Sequence, residues 1–142
     1  MSTESVLAAV PLFEGLDPAA LESLEAFTFR RSFEAGDMIV EQGRTGNGLY
    51  VVLSGEVEVF RNQGPDKHHV LGKLGVGEPF GEMALLGEWP RTASVKALEP
   101  TECLGMDRWV FLAHLSKEPQ LAIRMLQILA QRLADTNDRL AE

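Results

Sequence analysis

Gly77-Glu78-Pro79-Phe80-Gly81-Glu82-Met83-Ala84-Leu85-Leu86-Gly87-Glu88-Trp89-Pro90-Arg91-Thr92-Ala93-Ser94-Val95 neither alternates like a strand nor repeats like a long helix. It sets an acid, a glycine, a helix-favouring turn and an arginine between two strand-like runs. A short helix over Glu82 to Leu86 would leave free N–H groups at its start, and with the helix dipole these attract an anion. Gly81 has no Cβ and lets backbone come close to a ligand. Arg91 adds a full positive charge on a planar group suited to paired bonds with phosphate oxygens. A phosphodiester carries one negative charge, so one arginine plus backbone donors balances it. Glu82 would be repelled by phosphate and calls for a donor such as a sugar hydroxyl. A ribose hydroxyl beside a phosphate meets both demands.

Outward from this stretch the pattern is β-rich. Met38 to Val40, Leu49 to Leu53, Glu56 to Phe60, Val70-Leu71, Ala93 to Ala97 and Glu102 to Met106 read as short strands separated by glycine-bearing turns. Such spacing predicts a sandwich or barrel. Asn62 to Lys67 reads as the one long polar hairpin tip. Before Phe33, Asp17 as N-cap, Pro18 in the first turn and Leu21, Leu24 and Phe27 on one face predict a helix, with Val10 to Phe13 as an apolar lead-in. Helix returns near Arg108, and nothing from Gln120 to Glu142 breaks one.

At 142 residues the chain suits a single domain. Its 45% apolar and 24% charged residues are those of a soluble globular protein. No apolar run approaches the ~20 residues of a membrane span, and Met1 to Val10 lacks the pattern of a signal peptide. Cys103 is the only cysteine, so no internal disulfide or multi-thiolate metal site forms. A reducing, cytoplasmic setting is expected. With 21 acidic residues against 13 basic and a net charge of -8, direct nucleic-acid binding is not expected, because that affinity rests on Lys and Arg neutralising phosphates. A phosphate ligand would need one well-placed local cation.

The central stretch resembles the phosphate-binding cassette of the cyclic-nucleotide-binding domain family. Phe80-Gly81-Glu82-Met83-Ala84-Leu85 and Pro90-Arg91-Thr92-Ala93-Ser94-Val95 are similar to its two signature halves. Phe33 to Ile39, Gly43 and Leu49 to Val59 look like the family's first strands in order. The resemblance implies a mainly β fold with flanking helices, the cyclic-nucleotide-binding β-roll: a jelly roll, or double-stranded β-helix, of about eight strands. On this reading residues 1–32 are an N-terminal helical segment, 33–107 the roll with its cassette at 77–95, and 108–142 the C-terminal helices.

The resemblance also implies roles. Glu82 would accept the ribose 2′-hydroxyl and Arg91 would pair with the cyclic phosphate. Gly81, Met83 and Ala84 would offer backbone contacts, Thr92 a hydroxyl and Ala93 an amide. Leu71 and Leu74 are candidates for the wall around the base, or equally plain core. The ligand would be cAMP or cGMP, with no further cofactor, no metal and no catalysis. Alternatives stay open: Glu82 and Arg91 paired only with each other, or a family fold that serves as an interaction module and binds no nucleotide.

In the last helix Ala122, Leu126, Leu129, Leu133, Thr136 and Leu140 recur at alternating steps of four and three. That is a heptad seam suited to homodimerisation through 120–142; packing on the chain's own roll is the other use. This end resembles the dimer helix of the catabolite activator protein group, where positions matching Thr136 and Asn137 reach the adenine. That group continues into a helix-turn-helix domain, whereas this chain stops at Glu142. The effector domain of a transcription regulator and a stand-alone sensor acting through an unknown partner both fit. A metal-dependent cupin enzyme does not: His68 and His69 are neighbours on a strand and face opposite ways, and His114 lies in a helical region. One cysteine cannot hold an iron–sulfur cluster, and no histidine is well placed for haem.

Overall fold

Asp17 starts the first helix by accepting a hydrogen bond from the Ala20 amide at 2.8 Å, and Pro18 follows at the first helical position. In the computed structural model, which describes residues 5–62, 64 and 67–141, this helix is α1 (Pro18–Glu25). It buries Leu21 and Leu24. The lead-in forms two 3-10 turns, Val6–Ala9 and Pro11–Phe13, which bury Leu7, Leu12 and Phe13.

Eight strands follow: β1 (Phe29–Phe33), β2 (Met38–Val40), β3 (Gly48–Ser54), β4 (Val57–Asn62), β5 (His68–Leu74), β6 (Pro79–Phe80), β7 (Ser94–Ala97) and β8 (Thr101–Asp107). They make two antiparallel four-stranded sheets, ordered β1-β8-β3-β6 and β2-β7-β4-β5. Side chains alternate between faces, and β3 buries both. Val52 joins Val57, Phe80, Val95 and Cys103 between the sheets. Leu49 and Val51 pack outward with Leu104 and Met106 against Leu24, Phe111, Leu121 and Met125 of the helices. Burial on both faces is why β3 reads as a continuous apolar run.

Two strands differ from expectation. β1 begins at Phe29, so the boundary drawn at residue 33 cuts through the first strand. Its centre, Arg30, Arg31 and Ser32, is polar and exposed at a sheet edge, which hides it from pattern reading. β6 is two residues long, too short to carry a period. The polar connection expected at Asn62 to Lys67 joins β4 to β5; its Gln63, Pro65 and Asp66 lie outside the described residues.

Asp107 caps α2 (Arg108–Lys117) by accepting from the Trp109 and Val110 amides. The helix stops at Glu118, whose backbone leaves the helical region ahead of Pro119, and α3 (Pro119–Ala141) follows. Both uses foreseen for α3 have a face. Leu121 and Met125 are buried on the chain's own core, with Ile128 and Leu129 packed beside them. Leu126, Leu133 and Leu140 are 65%, 63% and 81% exposed and belong to neither apolar cluster among the described residues. Among the described residues no helix is long and apolar enough to cross a membrane.

Candidate functional site

Gly81 ends β6 in the left-handed region, φ +78°, and turns the chain into a 3-10 turn over Glu82–Leu85. The Arg91 guanidinium lies between this glycine and Gly46. A Cβ on Gly81 would stand 2.1 Å from Arg91 Nη1, and one on Gly46 would stand 2.2 Å from its Nε. Neither position has room for a side chain while Arg91 is there. Arg91 Nη2 donates to the Gly48 carbonyl at 2.8 Å. Its Nε is buried with no hydrogen-bond partner, the sole such side-chain atom among the described residues. Backbone bonds hold the two loops together: Arg91 N to Arg44 O and Gly43 N to Arg91 O, both 2.8 Å.

Electrostatically the site asks for an anion. Desolvation lowers the Arg91 pKa, with a smaller opposing effect from Tyr50. Taking a cation from water is costly unless a counter-charge arrives. Glu82 is not that counter-charge, because no Glu82–Arg91 ion pair forms among the described residues. Instead Glu82 Oε2 accepts the Leu12 amide at 2.8 Å. The 3-10 turn Pro11–Phe13 is thereby tied to the cassette, and from its other side Arg132 of α3 donates to the Pro11 carbonyl.

The remaining nominated residues are spread more widely. Met83 is exposed and Ala84 buried. Thr92 is exposed, and its carbonyl accepts from Arg61 Nε at 2.9 Å; Ala93 is half-buried. Leu74 packs against the cluster between the sheets, whereas Leu71 is 46% exposed on β5. Thr136 and Asn137 are exposed on α3, where Arg139 donates to Thr136 Oγ1. Neither bonds to the cassette among the described residues. A cavity of about 400 Å³ opens beside Arg91 at the β1–β2 edge, lined by Phe29, Arg31, Val40, Glu41 and Tyr50. Of the nominated residues only Arg91 lines it. Gly81 and Arg91 are thus brought together, and Glu82 follows Gly81 with one carboxylate oxygen bonded to Leu12. Leu71, Thr136 and Asn137 stand apart.

Three contributors were not singled out from sequence. Gly46 and Gly48 read as turn punctuation but are the floor on which Arg91 lies. Arg108 reads as a surface residue in the first turn of a helix, yet it is buried with its guanidinium among three carbonyls. A charged residue placed next to a tryptophan gives no sign of burial in a single sequence. Among the described residues no three His, Cys, Asp or Glu side chains gather as a metal site.

Residues 30–118 match the family model described as Cyclic nucleotide-binding domain. The chain is 39% identical over 127 residues to the Cyclic AMP receptor protein of Thermus thermophilus, covering 89% of this chain and 59% of that protein. It is 28% identical over 139 residues to a CRP-like cAMP-activated global transcriptional regulator of Mycobacterium tuberculosis, covering 98% and 62% respectively. The crystal structure of the N-terminal domain of a transcriptional regulator from Streptomyces coelicolor A3(2) superposes with a TM-score of 0.86 at 31% identity, covering 96% of this chain and 95% of that one. The chain belongs to the cyclic nucleotide-binding domain family. It spans about six tenths of the length of the two curated relatives named here.

Proposed function

We propose that this chain is a regulatory module that binds cAMP, with cGMP as the competing ligand, and passes occupancy to α3 without catalysing a reaction. The observation that carries the proposal is Arg91: a partly desolvated cation with an unpartnered Nε, set against the glycine that opens the Glu82–Leu85 turn. A cyclic phosphate monoanion supplies the missing acceptor and the counter-charge together. Glu82 has one oxygen engaged with Leu12, which leaves the other to accept a ribose 2′-hydroxyl. The amides following Gly81, the Thr92 hydroxyl and the Ala93 amide complete the sugar-phosphate end.

The base would lie toward Leu71 and Leu74, with Thr136 and Asn137 closing over it from a paired helix. The exposed Leu126, Leu133 and Leu140 support a homodimer through residues 120–142. A net charge of -8 argues against this segment binding nucleic acid itself.

Calorimetric titration with cAMP and cGMP, on nucleotide-free wild type and on Arg91→Ala, tests the reading. Wild type takes up nucleotide and the variant does not. No heat from either nucleotide on wild type overturns the proposal and leaves an interaction module in its place.

A further inference from the structure

Arg108 is 4% exposed, and its position at the β8–α2 junction puts it behind the cassette. Nη1 donates to the carbonyls of Gly46 at 2.9 Å, Gly87 at 3.0 Å and Ala84 at 3.2 Å. Nη2 reaches Glu88 Oε1 at 3.3 Å, and the Arg108 amide donates to Asn47 O at 2.7 Å. The Trp109 ring lies 5.2 Å from the guanidinium carbon.

A buried cation needs compensation. Glu88 gives little, because its side chain is 64% exposed and solvent screens it. The carbonyl dipoles do most of the compensation. Ala84 and Gly87 lie at the exit of the cassette turn, and Gly46 lies in the loop beneath Arg91. Arg91 holds that same loop from the other side through Gly48 O. The loop Gly46-Asn47-Gly48 is therefore clamped between two arginines, one of which is open to a ligand and one of which is not.

We infer that Arg108 is a positioning residue for the anion site. It fixes the cassette turn and the Gly46–Gly48 loop relative to each other, and so sets Arg91 against Gly81. Carbonyls drawn toward Arg108 leave the amides of the turn directed away from it, and its charge adds to the positive potential an anion meets. For the identity of the ligand this rests on the cyclic-nucleotide reading; for the positioning itself it does not.

Two measurements on Arg108→Gln and Arg108→Lys test it. Amide hydrogen exchange in nucleotide-free protein should speed up by about tenfold or more in segments 44–47 and 81–88 of Arg108→Gln, while β3 and β8 keep their protection. Titration should show cAMP affinity lowered by about tenfold or more in Arg108→Gln and partly recovered in Arg108→Lys, which keeps the charge but not the planar fork. Unchanged exchange in both segments overturns the inference. So does loss of protection spread evenly over β3 and β8, or failure of both variants to fold, since Arg108 would then serve the whole fold. If wild type takes no cAMP but exchange rises only in the two segments, the positioning stands and the nucleotide reading falls.

Discussion

The Leu12 amide donates to Glu82 Oε2 at 2.8 Å across 70 residues of sequence. The neighbouring Pro11 carbonyl accepts from Arg132 of α3. The N–H and C=O of a single peptide group, Pro11–Leu12, are thus held by the cassette on one side and by the C-terminal helix on the other. Glu82 and α3 are therefore joined through one peptide group.

On the proposed reading Glu82 has two separable jobs. Glu82→Ala strands the partly buried Leu12 amide and should lower unfolding stability by about 1–3 kcal/mol, read from urea unfolding of nucleotide-free protein. Wild type should bind 2′-deoxy-cAMP about tenfold or more weaker than cAMP, whereas Glu82→Ala should bind the two alike. Equal affinities for both ligands in wild type would remove the ribose role and leave the structural one.

Arg91 should be dispensable for folding and indispensable for the ligand. Its guanidinium is desolvated with Nε unpartnered, so Arg91→Met should leave the melting temperature of nucleotide-free protein unchanged or raised. Saturating cAMP should stabilise wild type by about 2.7 kcal/mol at a hundredfold excess over Kd and leave the variant unmoved. Gly46→Ala makes a finer test, because its Cβ would stand 2.2 Å from Arg91 Nε. With no strained backbone at that position, it should weaken nucleotide binding by displacing the guanidinium and change stability little.

Cys103 is fully buried, and burial, with a smaller push from the Glu102 charge, raises its thiol pKa from 9.0 to about 11. Below pH 9.0 the thiol is protonated in both folded and unfolded chains. Above it the unfolded chain loses the proton first, so this contribution to stability falls with rising pH, by up to about 1.4 kcal/mol per unit, until about pH 11. Unfolding of wild type and Cys103→Ala between pH 8 and 11 should show a difference that shrinks as pH rises. A thiol reagent at neutral pH should label Cys103 only in denaturant.

The seam of α3 gives a test of assembly. Leu126→Glu with Leu133→Glu should convert a dimer into a monomer by light scattering. Both side chains are exposed in the single chain, so its unfolding should change by no more than about 0.5 kcal/mol. A wild type that stays monomeric at every concentration, with and without nucleotide, would exclude helix pairing.

The cassette was legible because its chemistry is local: Gly81, Glu82 and Arg91 fall within one short stretch, and each residue type has few other uses there. What surrounds it was not. Arg108 meets Gly46 across 62 residues and Glu82 meets Leu12 across 70, and no periodicity encodes such pairs. β1 escaped because Arg30, Arg31 and Ser32 face solvent at an edge. Leu71 and Leu74 show a subtler limit. Both are apolar and close in sequence, but three residues apart on a strand they turn to different faces, and only Leu74 packs into the interior cluster.

The two faces of α3 bear on heredity as well as mechanics. Leu121 and Met125 answer to the roll, while Leu126, Leu133 and Leu140 answer to whatever lies outside it. Substitutions on the outer row can therefore accumulate without endangering the fold. Descendants of this chain could vary that row freely and still inherit Arg91 set against Gly81 and Gly48 on the roll.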